Sequence, residues 1–218
     1  MNRLVLALLL AAVTPACAGE VLLNGMAEEV LASEWADPIQ IDDYLFEPIN
    51  FDDSSVQTGF MLDASPLGDV QSVFGGSVQT EEIFDGMPVS WLCYDTGKGR
   101  TTFVALRVQG DDNETIPPGP VAGLVVEELD APANPACTNN GAAAAPQPGN
   151  DIPMLGATLA DLDARFGSAP VDAGGHLAFV AQHELGDEES WFEHKVIYYR
   201  LEGGKVTGVA YKLYTTDD

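Results

Sequence analysis

The chain carries one eleven-residue pattern twice, at a constant offset of 92 positions. The first copy reads Ser65-Pro66-Leu67-Gly68-Asp69-Val70-Gln71-Ser72-Val73-Phe74-Gly75. The second reads Ala157-Thr158-Leu159-Ala160-Asp161-Leu162-Asp163-Ala164-Arg165-Phe166-Gly167. Leu67, Asp69, Val70, Phe74 and Gly75 fall on Leu159, Asp161, Leu162, Phe166 and Gly167. A repeat at fixed offset means that one supersecondary unit is used twice, and it constrains the fold more than composition does.

Each copy predicts a short amphipathic helix. Leu67, Val70 and Phe74 stand at i, i+3 and i+7, as do Leu159, Leu162 and Phe166, which puts each trio on one face. Ser65 with Pro66, and Thr158 with Asp161 three residues on, are helix-start signals. Gly75 and Gly167 are stop signals. After the first helix the spacing predicts strands over Ser77–Ile83, Val89–Tyr94, Thr101–Val108 and Val121–Glu128. After the second it predicts Ala169–Val171, a turn at Asp172–Gly175, then Leu177–His183, Trp191–Leu201 and Lys205–Tyr214. Each run is rich in β-branched and aromatic residues and bounded by Gly, Asp or Pro. Val121-Ala-Gly-Leu-Val and Val206-Thr-Gly-Val-Ala share a pattern around Gly123 and Gly208. The expected class is α+β: two tandem units, each a short helix packed on a meandering antiparallel β-sheet.

The flanking segments set the organisation. Met1-Asn2-Arg3, an uncharged run Leu4–Val13 and Ala16-Cys17-Ala18 before Gly19 form a secretory signal, residues 1–18. Its apolar run is too short for a permanent membrane span. Pro15 fits a lipid-anchor signal at Cys17 poorly. Residues 19–61 form an acidic arm, with a helical stripe of Leu22, Met26, Val30 and Leu31 over about Val21–Ser33. The first unit covers 62–129 and the second 154–218. Between them, residues 130–153 hold Pro132, Pro135, Ala142–Ala145, Pro146, Pro148 and Pro153, an extended linker by composition. Signal removal leaves two cysteines, Cys93 and Cys137. An even pair in an exported chain predicts a disulfide, here closing a separation of 44 residues. The expected localisation is periplasmic or secreted.

The balance of 9 Lys+Arg against 34 Asp+Glu gives a formal charge of −25, or −26 once Arg3 leaves with the signal. A chain so acidic lacks the basic face that nucleic acid requires and is repelled by anionic lipid. Neither nucleic acid nor stable membrane insertion is expected. The charge favours a basic protein partner.

The helix signature, the hairpins and the final strand Gly204-Lys205-Val206-Thr207-Gly208-Val209 resemble the SmpA/OmlA (BamE-like) envelope modules. Two such modules in tandem in an exported acidic chain look like the β-lactamase inhibitory protein family. The resemblance covers about Leu62–Glu128 and Met154–Tyr214. It implies two sheets aligned into a concave surface that clasps a target enzyme, with loops of the first module entering its active site. By position the matching loop is Asp95–Arg100. The resemblance makes Asp95 an acidic plug and places Lys98 and Arg100 beside it as binding residues. It also implies a disulfide inside each module, whereas this chain has one pair and Cys137 sits in the linker. The N-terminal arm and the Thr102–Val121 insertion have no counterpart in it.

Other chemistry is thinly represented. His176, His183 and His194 lack a recognised metal spacing. Carboxylate pairs such as Asp42-Asp43, Asp111-Asp112 and Glu188-Glu189 are too common to single out an acid–base pair. No nucleophile elbow, P-loop or dinucleotide fingerprint occurs. No cofactor, no metal and no catalytic residue is expected, and the chain is not expected to be an enzyme. Aromatics crowd the last two strands. Trp191, Tyr199 and Tyr211 are candidates either for core or for interface anchors. The expected function is an exported acidic protein that neutralises a basic envelope enzyme, as an inhibitor or an immunity protein. The target would be a peptidoglycan hydrolase, another toxic effector or a β-lactamase. The alternative is a BamE-like scaffold of the envelope.

Overall fold

The computed structural model describes residues 23–32, 65–83, 87–95, 99–106, 119–128, 134, 136–139, 152–167, 171–173, 175–184 and 191–217. A short π-helical turn occupies Ala27–Ala32 near the start of the described chain. Then come α1 (Leu67–Phe74), β1 (Gln79–Ile83), β2 (Met87–Asp95), β3 (Gly99–Leu106) and β4 (Val121–Glu128). They are followed by β5 (Thr138–Asn139), α2 (Leu159–Phe166), β6 (Val171–Ala173), β7 (His176–Glu184), β8 (Trp191–Glu202) and β9 (Lys205–Asp217). The class is α+β, with few helices and one large sheet.

The sheet runs β1-β2-β3-β4-β9-β8-β7-β6. Every neighbouring pair along that path is antiparallel. The centre is the β4–β9 pair, with Val125 opposite Ala210. β5 stands off the path and pairs in parallel with β2 through Tyr94–Thr138 and Asp95–Asn139. This short strand lies within the stretch expected to be linker. The disulfide Cys93–Cys137 fixes it there, with the two Cα atoms 4.7 Å apart.

Side-chain alternation gives the sheet two buried faces. One face carries Leu92, Tyr94, Phe103, Ala105, Leu124, Val126, Phe179, Ile197, Tyr199, Val209 and Tyr211, and both helices pack on it. Leu67 and Val70 of α1 and Leu162 of α2 are fully buried there. Phe74 meets Tyr94 edge-on, and Tyr94 meets Phe103 edge-on at 6.2 Å. Phe166 stacks on Phe179 at 4.2 Å, and Phe179 meets Tyr199 edge-on. The opposite face carries Val89, Trp91, Cys93, Val104, Val125, Ala178, Val180, Val196, Tyr198 and Ala210. Leu23, Met26, Ala27 and Val30 of the N-terminal segment pack on it. Burial on both faces is why β4 reads as the near-continuous apolar run Val121–Val126.

The start of each helix is tied to a strand. Val121 donates its N–H to the Ser65 carbonyl at 2.9 Å, and Val206 donates to the Ala157 carbonyl at 2.8 Å. Each stop glycine donates back into its helix, Gly75 to Gln71 and Gly167 to Asp163. Asp161 accepts from both the N–H and the hydroxyl of Thr158 at 2.7 Å, which holds its carboxyl below the usual aspartate range. At α1 the cap is Pro66, with no side-chain cap bond.

Four local expectations are corrected. Leu159 is 44% exposed, whereas its repeat counterpart Leu67 is fully buried. Val171–Ala173 is a strand where a turn was expected at Asp172, since those residues pair with His176–Ala178. The helical stripe over Val21–Ser33 yields a turn confined to Ala27–Ala32. Gly25 lies before it at φ +71°, outside helical space, so a helix cannot run through that position. The linker contains β5. The expected signal segment, Trp35 to Asp63, most of the Thr102–Val121 insertion and most of the expected linker lie outside the described residues. No helix among the described residues is long and apolar enough to cross a membrane.

Candidate functional site

The sheet face under the N-terminal segment concentrates the buried charge. One row of paired residues crosses five strands there: Asp95 (β2), Arg100 (β3), Glu127 (β4), Gly208 (β9) and Arg200 (β8). Sheet alternation alone aligns them, because each pair is in register. Charges alternate along the row, and opposite charges directly across a sheet attract.

Arg100 Nε donates to Asp95 Oδ1 at 2.9 Å, with the two side chains 3% and 11% exposed. Asp95 Oδ2 accepts the Asn134 N–H at 3.2 Å. Arg100 Nη1 donates to Asn24 Oδ1 at 2.6 Å. Arg200 reaches over Gly208 and donates from Nη1 to Glu127 Oε2 at 3.3 Å. The same oxygen accepts the Met26 N–H at 3.0 Å. Burial pushes the Glu127 carboxyl above the usual glutamate range. The Met26 N–H and the Arg200 and Arg100 guanidiniums work in the other direction without cancelling it. Its second oxygen, Oε1, is buried and has no hydrogen-bond partner.

The N-terminal segment spans this row. The Leu23 N–H donates to both oxygens of Glu81, at 2.9 and 3.2 Å. Glu29 lies 3.2 Å from Nε2 of the buried His176 on β7. Two glycines lie close under the segment, and Gly25 also holds φ +71°, where a side chain is strained. A Cβ on Gly208 would sit 2.6 Å from the Met26 sulfur, and one on Gly25 would sit 2.7 Å from Glu127 Oε1.

The structure brings together two of the expected binding residues, Asp95 and Arg100, but as a buried ion pair. Asp95 ends β2 and is 7% exposed, so its role as an exposed acidic plug is corrected: its carboxylate is committed to Arg100 and Asn134. For Tyr199 and Tyr211 the core alternative is the one the structure shows, and not the surface anchor. Both are fully buried on the helix face, where Tyr211 Oη donates to the Met154 sulfur at 3.6 Å. Phe166, Phe179 and Tyr199 form one aromatic cluster under α2. Trp191 opens β8 opposite Asp217. Lys98 lies outside the described residues.

Glu127, Arg200, Asn24 and Glu81 were not singled out from the sequence. The available signal was scarcity: in a chain with nine Lys+Arg, Arg100 and Arg200 stand inside apolar strands. Among the described residues, no group of three His, Cys, Asp or Glu gathers as a metal site. The arrangement is suited to holding a segment of chain and presenting a carboxylate oxygen. Comparison with protein-family models, curated proteins and solved structures finds no match.

Proposed function

We propose that this chain is an exported acidic binding protein that neutralises a basic enzyme of the cell envelope, built from two tandem units joined into one sheet. One observation carries the tandem reading. The hydrogen bond from Val121 to Ser65 recurs from Val206 to Ala157, joining each repeat copy to the last strand of its own half. The caps support it. Gly75 to Gln71 recurs as Gly167 to Asp163, and Asp69 to Pro66 recurs as Asp161 to Thr158. The aromatic clusters follow the same plan. Tyr94 faces Thr101, two residues from Phe103, and Phe179 faces Ile197, two residues from Tyr199. Each diagonal pair receives the last phenylalanine of its helix, Phe74 or Phe166.

In this reading the two halves meet at β4–β9, and the face opposite the helices is the binding face, as in the inhibitor-like family the sequence resembles. The formal charge of −25 steers a cationic target to it and raises the association rate. The plug role leaves Asp95. The protein acts by occupancy, without cofactor or turnover.

Affinity capture from envelope extract tests this. Mature chain starting at Gly19 is the bait, and elution is by a salt step. The expected result is one basic soluble enzyme, released as salt rises and inactive while bound. Recovery of outer-membrane assembly components alone, with hydrolase activity untouched, favours the scaffold and overturns the inhibitor reading.

A further inference from the structure

The proposed binding face is already occupied by the chain's own N-terminal segment. Leu23, Met26, Ala27 and Val30 fill its apolar part at i, i+3, i+4 and i+7. The segment adds no rung to the sheet. It is held by side chains: Glu81 on the Leu23 N–H, Glu127 on the Met26 N–H, Arg100 on Asn24 and His176 on Glu29. Its helical part is six residues, too short to be stable away from the sheet.

The fit is incomplete in a specific way. Glu127 Oε1, Trp91 Nε1 and His176 Nδ1 all belong to this face, are buried and lack hydrogen-bond partners. Buried polar atoms without partners oppose the state that buries them. An occupant that satisfied Glu127 Oε1 while refilling the apolar positions would hold this face better than the resident segment does.

We infer that residues 23–32 are a displaceable plug in the binding face, and that what replaces them is a short apolar helical segment of a partner protein bearing a lysine or arginine for Glu127 Oε1. The apolar template is the segment's own spacing. The charge follows from the unpartnered carboxylate oxygen and from the acidity of the whole chain. The partner's nature rests on the proposed function, whereas release of the plug is a property of the chain alone. The two can therefore fail separately.

Release is read by hydrogen exchange on the mature chain without partner. The amides of Leu23 and Met26 should exchange at least ~100-fold faster than those of Val125 and Ala210 in the centre of the sheet, as local opening requires. Equal protection would overturn the plug, since the segment would then open only with the whole fold. The ligand is tested with a synthetic helical peptide bearing apolar residues at i, i+3, i+4 and i+7 and one lysine. Met26→Asp, which loosens the plug, should bind it at least ~10-fold more tightly than the parent chain. Combining Met26→Asp with Glu127→Gln should remove that gain. Peptide binding indifferent to Glu127 would overturn the assignment of the cation. If Met26→Asp disturbs the sheet, Gly25→Ala loosens the same segment, since alanine is strained at φ +71°, and exchange in the parent chain still decides the plug.

Discussion

Replacing Asp95 with alanine would leave the Arg100 guanidinium, 3% exposed, without its carboxylate. Removing one partner of a buried ion pair costs about 3–5 kcal/mol, because the other charge stays buried and uncompensated. Asp95→Ala should therefore lower stability by roughly that amount in urea unfolding, and it should do so in the absence of any partner. A change below about 1 kcal/mol would mean the pair behaves as a solvated surface bridge. Tyr94 supplies a test in alkali. Its hydroxyl donates to the Gly75 carbonyl at 2.9 Å, and burial pushes its pKa up to about 12 from the usual 10.0. The folded state holds this proton more tightly than the unfolded chain does. Its contribution is complete below pH 10 and is lost as pH rises toward 12. Tyr199 and Tyr211 are raised by burial as well and add in the same direction. The unfolding midpoint should fall steeply above pH 10, and Tyr94→Phe should make that fall shallower. An unchanged slope would contradict the burial of Tyr94.

At the scale of elements, the two repeat leucines of α2 should behave differently. Leu162 is fully buried against the sheet, and Leu162→Ala should cost about 2–5 kcal/mol. Leu159→Ala, at an exposed position, should stay within about 0.5 kcal/mol. Thermal or urea unfolding of the two variants checks the contrast, and equal losses would place Leu159 in the core. This pair also marks where sequence pattern stops being informative. Periodicity located both helices and the main strands, because amphipathic spacing and turn residues are local signals. It could not say which leucine of α2 the sheet covers, which depends on tertiary packing. Tyr199 and Tyr211 were ambiguous for a related reason: alternation assigns them to a face but does not tell what covers it. The charged row was less legible still. Asp95 and Arg100 face each other across one hairpin, but Glu127 and Arg200 are far from them in sequence, and only the β2-β3-β4-β9-β8 register aligns all four. Glu127 in particular is one of 34 acidic residues, with nothing local to distinguish it. The cysteine pair was readable once Cys17 was assigned to the expected signal, because the other two cysteines then leave one pairing. The bond Cys93–Cys137 spans 44 residues and ties β2 to the segment that carries β5. Replacing both cysteines with alanine should cost up to about 4 kcal/mol. A cost near zero would indicate that the β2–β5 contact forms without it.

At the scale of the whole molecule, charge and topology act together. One antiparallel sheet runs through the central β4–β9 pair, with the helices on one face and the N-terminal segment on the other. For the proposed function, a face of this breadth suits a large protein partner, and the formal charge of −25 suits a basic one. Binding of this kind weakens as salt screens the attraction, mainly through a slower on-rate. The central claim is stoichiometric neutralisation. Its most direct test is to titrate the enzyme recovered by capture with the mature chain, following enzyme activity at low and at physiological ionic strength. Activity should fall to zero at one equivalent, and association should slow at the higher salt. Activity that persists past several equivalents, while the two proteins remain bound, would contradict the claim.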